Sequence, residues 1–408
     1  MAKVDSAASR ARNHDLAPLY IATFVLAAAN GVVFPLLADI QDAYDLPTYG
    51  LGIISGTSFI ASLIGLLVFS GQADRGRAKW LLLGGLGLSV VSLVAFALST
   101  QLWQFTAARA LSGLAIGCFA PATRSIVARL DSQNVGRNLG RLAGTELGGF
   151  VSGPVVGAML ASAFTLDTPF WVLAVIIGIT FVFLAGRPIP GHEAGANDPS
   201  EAGGLAFDLL RYREVVVAAL LALALFLPVG IYDSLWSRYL QDRGASTLFI
   251  GITLTMYGVP FIALASRGGR LADRVGPFRA AFVCVVLLAP AIALYGVFAI
   301  PVLIVSIAMI EAIVQAVAVP ATQAAMAQAC PPERLGAGQG LSGAAGQAGA
   351  GVVALVAAPV YESAGPTFLF FAAALTTLGI GAIAWLLHQR VDRSAERAPA
   401  QTVRGSIA

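Results

Sequence analysis

Charge is what this chain is short of. Only 12% of its 408 residues are Asp, Glu, Lys or Arg, about half the share a soluble domain carries. With 57% hydrophobic residues and a mean hydropathy of +0.80, the sequence describes a protein built for lipid. A net charge of +3 is too small to point to a nucleic-acid partner. Cysteine is scarce too: Cys118, Cys284 and Cys330 lie in or beside apolar runs with no CxxC pairing, which argues against a disulfide framework and a zinc site. His14, His192 and His388 are scattered, so neither a metal centre nor a histidine relay is expected. Glycine clusters such as "GGLGL" fall inside apolar runs rather than between a strand and a helix, so they make no phosphate loop. With no nucleophile–base pair, the chain does not read as an enzyme, and no cofactor is expected beyond a coupling proton. Short alternating strands are missing, which excludes a membrane barrel. The opening "MAKVDSAASRARNHDL" is polar and basic, without a short apolar core and cleavage site, so no removable signal peptide is expected.

What the chain has in abundance is apolar length. Crossing a bilayer as helix takes about 20 residues, and the polar breaks leave twelve such runs: 17–38, 49–70, 80–99, 103–125, 139–162, 168–186, 214–236, 247–266, 279–299, 302–326, 338–359 and 366–388. Basic residues alternate between the connecting loops. Arg75, Arg77 and Lys79, then Arg129, Arg137 and Arg141, then Arg187, Arg211 and Arg213, then Arg267, Arg270, Arg274 and Arg279, and Arg334 all fall on one side, with both tails. The positive-inside rule makes that side cytoplasmic. The other loops are acidic or neutral, as in "ADIQDAYDLP", with Arg238 and Arg243 as the basic exceptions. This predicts a multi-pass protein of the cell (plasma or inner) membrane with cytoplasmic termini. The polar stretch 187–213 separates two six-helix halves, 1–186 and 214–408, and reads as a cytoplasmic linker.

The halves repeat. Asp74 and Asp273 are 199 positions apart, and the same offset carries "APATRS" at 120–125 onto "VPATQA" at 319–324. Parallel repeats related by an axis along the membrane normal occur among secondary transporters. The residues around the two aspartates resemble the signature of the major facilitator superfamily: "GRLADRVG" from Gly269 to Gly276 matches it position by position. The first copy, "GQADRGRAK", is shorter. The resemblance extends from Leu16 to Leu387 and implies an all-α membrane fold of twelve helices in two pseudo-symmetric bundles. It also implies a cytoplasmic gate, with Asp74 meeting the start of the eleventh helix and Asp273 that of the fifth, and with Arg75, Arg77 and Arg274 beside them. Helix N-termini favour a carboxylate by roughly 0.3–1 kcal/mol, which gives the arrangement a physical reason. The alternative is that these loops are basic topogenic turns only.

The fifth helix, "GRLAGTELGGFVSGPVVGAML", carries Gly140, Gly149, Gly153-Pro154 and Gly157. It resembles the motif of the drug:proton antiporter (multidrug exporter) group, with Ala158 in place of the last glycine. Three glycines at intervals of four make a smooth stripe against which a neighbour can pack, and Pro154 interrupts the backbone ladder. Ionisable residues within spans are functional candidates. Arg109, in "RALSGLAIG", resembles the superfamily's arginine motif, with Ser112 where glutamine is common. Glu146, Asp233 and Glu311 are the carboxylates that could exchange protons or meet a cationic substrate, and Arg109 could hold or release one of them. Asn30, Tyr257, Gln315 and Gln323 are cavity-lining candidates, though lone polar residues in a bundle also serve as packing devices.

The expectation is a proton-coupled exporter of small amphiphilic or cationic compounds, rocking about a central cavity and working as a monomer in the lipid bilayer, with no nucleic acid. The alternative is a proton-coupled uptake permease for a sugar, amino acid or organic anion.

Overall fold

The computed structural model describes residues 2–72, 76–130, 135–187, 206–331 and 334–397. Asp74, Arg75 and most of the linker therefore lie outside the described residues. Eleven helices among them are long and apolar enough to span a membrane: Leu16–Ala43, Thr48–Phe69, Ala78–Ala97, Leu102–Val127, Arg137–Ala163, Thr168–Ala185, Arg213–Gln241, Thr247–Val275, Pro277–Tyr295, Pro301–Ala329 and Leu335–Arg390. The last is 56 residues long, about 84 Å at 1.5 Å per residue, far more than the roughly 30 Å of hydrocarbon. Gly365 breaks it with φ 79 and ψ 169, and Pro366 follows. Two crossings, 335–364 and 366–390, result, so the described residues make twelve crossings, and the first begins on the face where the last ends. That face is called the termini face here and the other the far face; the helices are numbered first to twelfth in chain order.

Turn chemistry explains why the elements end where they do. Gly76 (φ 83) and Gly276 (φ 100) both adopt left-handed backbone between the second and third and between the eighth and ninth helices, a conformation glycine enters without a steric penalty. Each charged signature thus contains one glycine with positive φ. The first helix is not continuous: it stops at Gly31, passes through a 3-10 turn at Phe34–Leu36 containing Pro35, and resumes over Leu37–Ala43. Proline explains the interruption, having no N–H to donate and a ring that clashes with the preceding turn.

Packing repeats with an offset of six helices. In the first half the first helix packs on the fifth, the second and third on the fourth, and the third on the sixth; in the second half the seventh packs on the eleventh, the eighth and ninth on the tenth, and the ninth on the twelfth. Between the halves, the second helix meets the eleventh and the fifth meets the eighth. Gly52 and Gly56 bring the second helix against Ala354, Leu355 and Gly351, and Gly251 brings the eighth against Pro154 and Ala158. All these contacts belong to the far-face parts of their helices. Toward the termini face, a side chain added at Gly140, Gly144, Gly336, Gly340 or Gly343 would have open space. A cleft of about 550 Å³ lies there between the first and fifth helices, lined by Tyr20, Phe24, Arg141, Gly144, Thr145 and Gly148.

Candidate functional site

The small-residue stripe of the fifth helix sets the geometry. A Cβ at Gly149, Gly153 or Gly157 would strike the first helix at Phe24, at Ala28 and Gly31, or at Val32 respectively. The first helix is thereby pressed against the fifth just where its own backbone breaks. Gly113 and Gly117 do the same for the fourth helix against Ser58 and Gly65 of the second. A Cβ added at Gly140 would meet nothing within 4 Å, so this glycine takes no part in the seam.

This packing places Asn30, at the end of the first helical piece, beside Arg109 of the fourth helix. The guanidinium donates from Nη1 to Asn30 Oδ1 at 3.1 Å, lies 5.8 Å from the centre of the Phe34 ring, and pairs through Nη2 with Asp233 Oδ2 of the seventh helix at 3.9 Å. Arg109 and Asp233 are both buried. The pair crosses between the halves. Ser55 of the second helix adds a second crossing, donating to the Asp233 main-chain carbonyl at 3.1 Å. Arg109 Nε is buried without a partner among the described residues.

One residue earlier, Tyr232 turns about 100° away round the same helix and enters a second cluster. Its hydroxyl donates to both oxygens of Glu311, at 3.1 Å each. Tyr295 of the ninth helix also donates to Glu311, and Tyr257 of the eighth and Gln315 of the tenth face the same carboxylate. Trp236 packs edge-on against Tyr232 and Tyr295, with ring centres 5.4 and 5.2 Å away. Glu311 is fully buried, and a carboxylate without water needs such a ring of donors. The seventh helix therefore carries one residue into each cluster, Asp233 toward the first half and Tyr232 into the second.

The sequence candidates divide accordingly. Asn30, Arg109 and Asp233 come together, as do Tyr257, Glu311 and Gln315. Glu146 does not approach Arg109: it pairs with Arg124 at 3.4 Å, with both side chains well exposed. The reason is depth, since Glu146 lies on the part of the fifth helix where the halves have already parted. Ser112 joins neither cluster, and Gln323 is exposed toward the termini face, its carbonyl accepting from Gln339 at 2.8 Å. Asp273 and Arg274 are exposed, and no contact to the start of the fifth helix is present among the described residues. Arg77 is exposed as well, near Gln72 at 3.5 Å.

Sequence reasoning missed a third cluster, on the far face. Arg238 pairs with Asp42 of the first half at 2.6 Å and with Asp242 of its own helix at 2.8 Å. Asp39 accepts from Gln241 and Thr247, each at 2.6 Å, and Tyr361 donates to Asp242 at 2.6 Å. The signal was present in the sequence, because Arg238 was a basic exception opposite an acidic loop. Arg243, the other exception, lies 3.8 Å over the Tyr239 ring and donates to main-chain carbonyls of Tyr239 and Phe298.

The family model described as Major Facilitator Superfamily matches the chain twice, over residues 19–238 and 218–407. The chain belongs to the major facilitator superfamily. It is a membrane transporter, not an enzyme. Among its relatives, the Multidrug resistance protein MdtG of Klebsiella pneumoniae (strain 342) is 26% identical over 285 residues, covering 67% of this chain and 69% of that one. MdtG of Salmonella paratyphi B is 27% identical over 298 residues, covering 67% and 70%. Solved superfamily structures share the fold at low identity. The nucleoside transporter NupG aligns with a TM-score of 0.76 at 14% identity, over 91% of this chain and 98% of that one. A bacterial homologue of the human lysosomal transporter Spinster, inward-facing and unoccupied, aligns at 0.75 and 15%, over 94% and 97%.

Proposed function

We propose that this transporter exports small amphiphilic or cationic compounds across the cell membrane in exchange for protons, by rocking of its two halves, with the termini face cytoplasmic. The Arg109–Asp233 pair carries the reading. Its two members belong to different halves, so its strength depends on how the halves sit, and its charge balance depends on whether Asp233 holds a proton. A guanidinium keeps its charge at any physiological pH. A proton arriving at Asp233 therefore cancels one partner and leaves Arg109 buried with only Asn30 and the Phe34 ring, an arrangement costing several kcal/mol. The halves relieve that cost by moving. Proton binding and rocking are thereby linked through one contact. Glu311, inside the second half with its ring of phenols, supplies a buried negative group lined by aromatic faces, the chemistry that holds an organic cation.

The multidrug names of the sequence relatives support export, and the basic loops on the termini face support its cytoplasmic placement. Asp74 and Asp273 are proposed to close that face at the opposite end of the cycle, when the helix starts of the eleventh and fifth come within reach.

Proton release from purified protein in detergent, on addition of lipophilic cations and antibiotics, tests the reading. Wild type should release protons with a saturable dependence on at least one compound, Asp233→Asn should release none, and Glu311→Gln should bind cations at least ten-fold more weakly. Proton uptake with a polar nutrient, and no release with any cation, would assign the protein to uptake instead.

A further inference from the structure

Thr255 of the eighth helix makes an unusual use of its hydroxyl. Five threonines elsewhere in the bundle return theirs to the carbonyl four residues back on their own helix: Thr23 to Leu19, Thr123 to Phe119, Thr180 to Ile176, Thr322 to Ala318 and Thr376 to Ala372, all at 2.8–3.1 Å, while Thr247 meets the Asp39 carboxylate at the far face. That local bond is the ordinary choice for threonine in a helix. Thr255 instead reaches across to the other half. Its Oγ1 donates to the Val151 carbonyl at 2.7 Å and accepts from the Val155 amide at 3.3 Å. Val151 and Val155 are the acceptor and donor of one i→i−4 bond of the fifth helix, so the hydroxyl stands at both ends of that bond.

The location makes the contact possible. Pro154, immediately before Val155, has no N–H, so the ladder beside this bond is already short of one rung. Gly251 and Gly258, four residues before Thr255 and three after it, let the eighth helix lie close: a Cβ on Gly251 would be 2.5 Å from Ala158 Cβ, and one on Gly258 would run into the Val151 side chain. The glycines provide proximity and the hydroxyl uses it.

We infer that Thr255 is a positioning residue for alternation: a latch that holds the far face closed by adding two hydrogen bonds across the halves to one turn of the fifth helix. With the far face closed, Thr255 engages both Val151 and Val155. With it open, Val151 and Val155 keep their place in the helix ladder and Thr255 falls back on the Gly251 carbonyl of its own helix, as those five threonines do, so one bond fewer is made. No buried polar group is orphaned in either state, so the latch favours closure without trapping the protein there. The inference holds whatever the substrate and whichever way it moves, and it stands apart from the proton and cation roles given to Asp233 and Glu311.

The test is a distance distribution across the far face. Nitroxide labels at Ala163→Cys and Ala299→Cys, both exposed ends, with Cys118, Cys284 and Cys330 changed to serine, report separation of the halves in the full chain in nanodiscs. Wild type and Thr255→Ser, which keeps the hydroxyl, should give a predominantly short distance. Thr255→Val has the same shape without the hydroxyl and should raise the long-distance fraction about five-fold, the ratio that one net hydrogen bond corresponds to. Thr255→Ala, a second variant lacking the hydroxyl, should follow valine. Equal distributions in wild type, valine and alanine variants, or a serine variant that shifts as far as valine, would overturn the latch.

Discussion

A methyl group is enough to separate the glycines that matter from those that do not. One added at Gly153 meets the Ala28 carbonyl and lies 3.0 Å from Gly31 Cα, whereas one added at Gly140 meets nothing within 4 Å. Gly153→Ala should therefore lower stability by about 1–3 kcal/mol through overpacking, while Gly140→Ala should gain about 0.5–1 kcal/mol from the restricted unfolded chain and better helix propensity. Thermal unfolding in detergent separates them, and equal midpoints would show that the first helix yields to the added methyl. The stripe was legible because a spacing of four residues puts positions on one face; its partner helix was not, since spacing says nothing about the neighbour. The same limit governed the carboxylates. Glu146 and Asp233 look alike as acidic residues in apolar runs, and only the point at which the halves diverge exposes the first and buries the second.

At the level of elements, the far-face cluster ties the end of the first helix to the end of the seventh. Removing Arg238 costs Asp42 its partner across the halves, whereas an asparagine at 42 can still accept from Arg238, which Asp242 of its own helix keeps in place. Arg238→Gln should accordingly open the far face more than Asp42→Asn, about two- to five-fold against less than two-fold, as expected for partly exposed pairs worth about 0.2–1 kcal/mol. The double variant should match Arg238→Gln alone. Additive effects would mean that the two residues act through separate contacts. Helix positions were read closely from the sequence, because lipid forces each crossing to be long, apolar and bounded by polar breaks. The interruption of the first helix at Gly31–Leu36 was not read, since Pro35 lies within an unbroken apolar run and hydropathy is blind to it. Thr255 was invisible for a related reason, as its bonds depend on which helix lies opposite.

For the whole molecule, the proposed exchange has an electrical signature. One proton entering for one monovalent cation leaving moves no net charge, while one proton for one neutral compound moves a full charge inward. Collapsing the membrane potential in proteoliposomes should therefore leave cation gradients intact and reduce gradients of neutral substrates by up to about 50-fold per 100 mV, from about 2.3 kcal/mol per charge. Equal sensitivity of both classes would rule out a one-for-one exchange. The two-half plan behind this behaviour was legible from the repeated aspartate signature and the 199-residue offset, yet the offset also marks where the copies have ceased to be equivalent. At that spacing Phe34 takes the place of Asp233, and Ala308 that of Arg109. The buried pair thus exists once, divided between the copies. Two first halves brought together would bury two guanidiniums, and two second halves two carboxylates; only the unlike pairing is neutral. Expressed as separate chains, the halves should seek each other and refuse themselves, so the charge that links them for transport also serves as the mark by which one copy of an ancient duplication knows the other.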